Sequence, residues 1–316
     1  MRRCIMRSRS VVASGGFGDP RSILRLDKSI PRSIPGVGCV SVTMQAATVT
    51  AEDLRRVAGL SLESPARAGI AGSTGVGIIH AVGEDVNHVS VGDAVLLLGH
   101  DGSWANIATP REHEVFRLPA ALKPTEAAAL PHLLSASIIL SMPTPALSSS
   151  DVVLIGAGTD PSLTAALLAV GSLRGISVNT SVADVRGAHL AVSSVPGKPT
   201  TDLVRRLGPA GVLVVTTGPP APLPVADGSG SVVALPIAKA IFTDVSVQGF
   251  DLLTWAAQHH TDILSHLNKL CAEMSRADAP LLLAPKVFPF ADFVGAVELA
   301  SIASLDAKVA VLKIES

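Results

Sequence analysis

The chain has 316 residues, 48% of them apolar and 16% charged, with a formal net charge of -1. That length and balance exclude a small stapled scaffold and wholesale disorder, and they leave room for two domains. The near-neutral charge gives no broad basic face for gripping nucleic acid, and with no Tyr in the sequence no mechanism here can use a phenol.

The first sixteen residues, MRRCIMRSRSVVASGG, carry Arg2, Arg3, Arg7 and Arg9 and no acid. They lack an apolar stretch of signal-peptide length, so they read as a mitochondrial transit peptide. From Val40 to Ala120, short apolar runs are cut by Gly, Pro, Asn and Asp, which predicts twisted β structure with tight turns. The Ala- and Leu-rich stretch Thr125 to Leu140 predicts a helix begun at Thr125 and ended before Pro143. Although mean hydropathy is high, at +0.46, the most apolar window, Ala127 to Ser150, contains Pro131, His132, Pro143 and Pro145 and cannot form an unbroken membrane helix.

Beyond the polar joint Ser148 to Asp151 comes a predicted strand over 151–156, a glycine turn, a helix from Pro161 to Val170, and a second strand over 176–180 reached through Gly175. This βαβ order builds a parallel sheet. The alternation resumes with AHLAVSSV, helical TTDLVRRLG and the strand VLVVTT, followed by a loop over 218–231, helical TDILSHLNKLCAEMSR and a closing strand KVAVLKI. Cys4, Cys39 and Cys271 are odd in number and form no CxxC, so neither a disulfide framework nor a thiolate zinc site is predicted.

Several motifs carry a resemblance. GVGIIHAVGEDVNHVSVGDAVLLLG (75–99) is the most specific of them, GSWANIA (102–108) supplies a Gly-x-Trp strand, and IFTDVSVQGFDLLTW (241–255) follows the last strand of the parallel sheet. Together with the order of elements, they resemble the medium-chain dehydrogenase/reductase superfamily, and within it the zinc-free mitochondrial trans-2-enoyl-thioester (enoyl-CoA/ACP) reductases. The resemblance implies an α/β fold: an N-terminal mostly-β GroES-like catalytic-type domain (17–140 and 255–316) and a Rossmann-like nucleotide-binding-type domain (141–254). The latter is shortened, because 176–180 is followed after a few residues by a segment that the family places about one βα repeat later.

The reaction the resemblance implies needs a dinucleotide cradle and a proton donor. The family's donor is a Tyr, and Ser61 stands at that position with no base evident nearby in sequence. Asp53 alone remains of the family's Asn-Pro-Ser-Asp turn. The turn Gly72-Ser73-Thr74-Gly75 replaces the Gly-His-Glu of zinc-dependent relatives, which leaves no metal site. His259, His260 and His266 read as helix-face residues rather than ligands. The cradle candidates are Gly156, Gly158, Thr159 and Ser162. Asp160 and Pro161 interrupt that turn, placing a carboxylate at the helix mouth where a phosphate would sit. Arg174 and Arg186 are wrongly spaced for a 2′-phosphate.

The reading that follows is a degenerate, catalytically inactive member: a structural or assembly subunit in the mitochondrial matrix, acting through protein partners or a homodimer, with no direct nucleic-acid contact and no membrane span. No cofactor is expected. The alternatives are an active NADPH-dependent enoyl-CoA/ACP reductase, for which NADPH is the cofactor, and an acyl-thioester binding protein.

Overall fold

A computed structural model describes residues 9–31, 34–61, 69–119, 122–181, 185–195, 197–216, 234–276, 283–301 and 308–315. The chain opens with β1 (Arg9–Ser14), the one-turn helix α1 (Pro20–Ile23) and β2 (Leu24–Ile30), and β1 pairs antiparallel with β2. Val11 and Val12 of β1 are fully buried, and β1 also bridges Ala105 and Ile70. Residues 9–14, which fall within the stretch 1–16 expected to be a leader, thus pack into the fold as β1. Residues 1–8 of that expected leader lie outside the described residues.

Next come β3 (Val40–Val49), α2 (Ala51–Ala58), β4 (Thr74–Val82), β5 (Ala94–Leu98), β6 (Ile107–Ala108) and β7 (Val115–Arg117). Helix α2 starts at a capping box, in which Asp53 N donates to Thr50 Oγ1 at 3.0 Å and Thr50 N donates to Asp53 Oδ2 at 2.9 Å. It stops at Gly59, whose φ of 75° suits glycine. Leu54 and Val57 turn its apolar face into the core.

The predicted helix over 125–140 is two helices, α3 (Pro124–Ala127) and α4 (Leu130–Ile139). Pro131 is the cause: a proline cannot donate in a helix interior but fits a first turn, so the chain restarts around it. Lys123, not Thr125, is the N-cap of α3.

The second layer is built from β8 (Val152–Ile155), α5 (Pro161–Arg174), β9 (Ser177–Asn179), β10 (Ala188–Ser193), α6 (Lys198–Arg206), β11 (Leu207–Thr216), α7 (Ile237–Thr243) and β12 (Ser246–Phe250). Its five strands are all parallel, in the order β12-β11-β10-β8-β9. A full dinucleotide-binding sheet runs 3-2-1-4-5-6. Here the second strand, β9, is the edge, and the position beyond it, that of the third strand, carries none among the described residues. The shortening read from the sequence thus falls at that edge of the sheet. The 218–231 loop lies within residues that are not described.

The chain finishes with α8 (Leu252–Gln258), α9 (His260–Arg276), β13 (Lys286–Pro289), α10 (Phe293–Ser301) and β14 (Ala310–Lys313). Strands β13 and β14 join the first sheet, whose order is β13-β14-β3-β4-β5-β7 with β6 on β3. Helix α9 buries Ile263, Leu267, Leu270 and Met274, an amphipathic stripe that packs on α4 and joins the apolar core shared with the parallel sheet. Among the described residues, no helix is long and apolar enough to cross a membrane.

Candidate ligand-binding cleft

Where the two layers meet, a partly open cleft is walled by the start of α2, the start of β4, the first turn of α4, the N-terminus of α5 and the β12–α8 junction. Its polar lining includes Glu52, Thr74, His132, Asp160 and Asp251, and its apolar lining includes Pro131, Leu163, Phe250 and Leu252.

Glu52 accepts a 2.6 Å hydrogen bond from Ser61 Oγ. Burial raises its carboxyl above the ordinary value, the neighbouring charge of Asp251 pushes the same way, and the Ser61 bond and the Arg55 and Arg56 guanidiniums pull against them. Behind it, Asp53 is wholly buried and accepts from Ser73 Oγ at 2.6 Å, and burial raises its carboxyl too. His132 is held below its ordinary 6.5 by burial, partly offset by Asp160 and Asp53, so its imidazole is neutral at neutral pH. Among the described residues its Nδ1 is buried without a hydrogen-bond partner, and so is Thr74 Oγ1.

Ser61 is not among the residues that line the cleft; its hydroxyl is bonded to Glu52, which is. Sequence reasoning found no base near Ser61, because the α2 turn and the Gly59 cap are what fold the chain back on Glu52. Gly156 and Gly158 both sit at the β8–α5 turn, but the space their missing side chains leave is used by the protein itself. A Cβ on Gly156 would lie 2.8 Å from Leu203 Cδ1, and one on Gly158, at φ 84°, would lie 2.8 Å from Val195 Cγ1. Thr159 is buried and donates its hydroxyl to Gly156 O at 2.8 Å. Ser162 is half-buried at the second position of α5. Asp160 is the N-cap of α5, accepting from Leu163 N at 2.9 Å.

The other predicted groups are spread apart. Arg174 is engaged by Glu273 at 3.1 Å and donates to Ser137 Oγ at 2.6 Å, while Arg186 is exposed. His259 stacks on Trp255 with ring centroids 4.4 Å apart, and His260 lies 4.7 Å from the Phe116 ring. No group of three or more metal-ligating side chains occurs among the described residues.

Residues 36–120 match the alcohol dehydrogenase GroES-like domain family. The fold is α/β, a GroES-like domain joined to a Rossmann-like parallel sheet, and it matches solved quinone and enoyl reductase structures. The chain is 24% identical over 321 aligned positions to the mitochondrial enoyl-[acyl-carrier-protein] reductase of Bos taurus, covering 90% of this chain and 83% of the relative. It is 32% identical over 122 positions to the synaptic vesicle membrane protein VAT-1 homolog of Rattus norvegicus, covering 39% and 30% respectively. Among solved structures it superposes on a putative NADPH:quinone reductase from Bacillus thuringiensis with a TM-score of 0.76 at 19% identity, covering 97% of this chain and 99% of that one. Against the ETR1P/NADP/crotonyl-CoA complex the TM-score is 0.74 at 15% identity, covering 97% and 100%.

In dinucleotide-binding folds of this kind the pyrophosphate sits at the turn that corresponds to β8–α5, and here several groups of that turn are engaged by the protein itself. Such a site needs backbone N–H groups pointing at the phosphates and glycines that leave room for them. Leu163 N is bonded to Asp160 and Pro161 has no N–H; the Asp160 amide already faces Ser194 Oγ at 3.4 Å, and Val195 packs against Gly158. Asp160 adds a negative charge at the helix end that a phosphate would occupy.

The cleft residues that sequence reasoning passed over are Glu52, His132 and Asp251, with Thr74 noted only as a lost zinc position. Asp251 was detectable as a helix cap, since it precedes an apolar run and accepts from Thr254 N at 2.8 Å. Nothing in sequence separated His132 from an ordinary core histidine.

Proposed function

We propose that this chain is an enoyl-reductase-like protein of the mitochondrial matrix that no longer turns over a nicotinamide cofactor and works as a protein-binding subunit. The observation that carries the reading is the β8–α5 turn, where Asp160 caps the helix and Val195 fills against Gly158. The mitochondrial setting rests on relatives that are named for that compartment.

The binding role draws on one surface. Helix α7 exposes Ile237 at 72%, Ile241 at 66% and Phe242 at 82%, next to the sheet-edge strand β12, where Val247 is 44% exposed. An apolar patch beside a strand edge that pairs with no other strand among the described residues is the kind of surface that makes contacts. It suits a second copy of this chain or another subunit.

A second reading, an active NADPH-dependent reductase, is favoured by the Ser61–Glu52 pair and by relatives and fold neighbours named as enoyl reductases. Assaying the purified full chain with NADPH and crotonyl or longer enoyl thioesters separates the two. The expected result is no turnover above a heat-killed control, for wild type and for Ser61→Tyr alike. Turnover proportional to protein concentration would establish the reductase instead.

A further inference from the structure

Helix α8 is a wall with space on both sides. Leu252 and Leu253 line the cleft, while Thr254, Ala257 and Gln258 line a second cavity together with His113 and Phe116 of the first layer. Of the helix's residues Ala256 alone is buried, so packing holds α8 in place only weakly and its ends matter.

Two adjacent histidines hold its C-terminal end. His259 is the C-cap of α8, its ring stacked on Trp255 with centroids 4.4 Å apart. His260, the first residue of α9, reaches across the seam and sets its ring against Phe116 of β7, centroids 4.7 Å apart. His260 Nε2 is buried with no hydrogen-bond partner among the described residues. Whichever tautomer the neutral ring takes, protonation makes both nitrogens donors and leaves Nε2 charged with no acceptor. The Phe116 face attracts a cation weakly, and a buried unpaired charge costs more.

The charges that bear on this ring come from the other side of the seam. Burial holds His260 below its ordinary 6.5; the charges of His113 and His88 push the same way, and Glu112 opposes them. Glu112 is already engaged, accepting from Asn87 N at 2.6 Å and from His88 N. On α9 itself, Asp262 lies in the first turn and His266 meets the Trp255 ring edge-on at 5.8 Å.

We propose that α8 is a pH-released wall of the cleft, docked on the first sheet at neutral pH through the His260–Phe116 contact and freed when His260 takes up a proton. The sign follows from linkage: a proton binds more tightly to the released ring than to the docked one, so docking is complete above 6.5 and is lost as pH falls below it. Release joins the cleft to the second cavity and widens its mouth. The device belongs to the seam, and it stands whether or not the cleft takes a nicotinamide cofactor.

The test is amide hydrogen exchange of the full chain at pH about 7.5 and about 5.5, each rate divided by the intrinsic chemical rate at that pH. The amides of α8 are expected to lose protection by about tenfold at the lower pH, the factor for a group one unit below its released value. His260→Gln, polar but unable to carry the charge, should hold α8 protection level between the two pH values. His132→Asn, a change in the cleft and not in the seam, should leave the α8 response in place. Glu112→Gln should move the response to lower pH and His113→Gln to higher pH, since the first removes a charge that favours the proton and the second one that opposes it. An α8 exchange rate that does not change with pH, a response that survives His260→Gln, or one that vanishes in His132→Asn would each overturn the proposal.

Discussion

Replacing Asp160 by Ala removes the N-cap of α5. The carboxylate accepts from Leu163 N at 2.9 Å, and the helix it starts carries Leu163, Ala166, Leu167 and Val170 into the main core. Loss of such a cap costs about 1 kcal/mol, within a range of about 0.5–2, and loss of the negative charge at the helix N-terminus adds about 0.3–1. The sum, roughly 1–3 kcal/mol, lowers the midpoint by about 2–4 °C per kcal/mol in a domain of about 150–250 residues. Asp160→Asn retains the cap and loses only the charge contribution, so the expected order of stability is wild type, then Asn, then Ala. Urea unfolding followed by far-UV circular dichroism reads that order. If the Ala variant were as stable as wild type or more so, the carboxylate would be held for a function at the expense of stability, and its reading as a structural cap would fall.

Gly158→Ala should destabilise by about 1–3 kcal/mol, because its φ of 84° disfavours a side chain and the new Cβ meets Val195; denaturant unfolding with a midpoint equal to wild type would show that the turn is not packed as described. His132 keeps a folded value below 6.5 through burial, so the unfolded chain binds more protons in that window and stability falls as pH drops below about 6.5, by up to about 1.4 kcal/mol per pH unit. Glu52 and Asp53, raised by burial, oppose this at lower pH, since the native state holds their protons more tightly; His132→Asn should remove the fall below 6.5, and an unchanged pH profile of unfolding would refute the assignment. Phe242→Asp, on the exposed face of α7, should lower the mass measured by light scattering if that edge is the contact surface, and an unaltered mass would remove it from the interface.

Much of the second layer was legible in the sequence. Val152–Ile155 is a continuous apolar run before a glycine turn, Gly175 ends α5 in the left-handed conformation, and the short spacing between the strands at 176–180 and 188–193 announced the missing repeat. The signals were local, and local signals survive folding. The first strand was hidden because Arg9–Ser14 sits in an Arg- and Ser-rich stretch whose composition points to a leader, while its burial comes from distant partners at Ala105 and Ile70. The break between α3 and α4 turned on one proline inside an apolar run. The cleft was least legible of all: Glu52, Thr74, His132 and Asp251 come from four separate elements, and the pairing of Ser61 with Glu52 depends on the turn at Gly59. Only tertiary packing brings those groups together.

Whether the β8–α5 turn still holds a dinucleotide is decided most directly by titrating the full chain with NADPH and following cofactor fluorescence. With Asp160 capping α5, Pro161 lacking an amide donor and Val195 packed on Gly158, no saturation is expected below the millimolar range. Saturable binding at micromolar NADPH would contradict the account and return Gly156 and Gly158 to the cofactor.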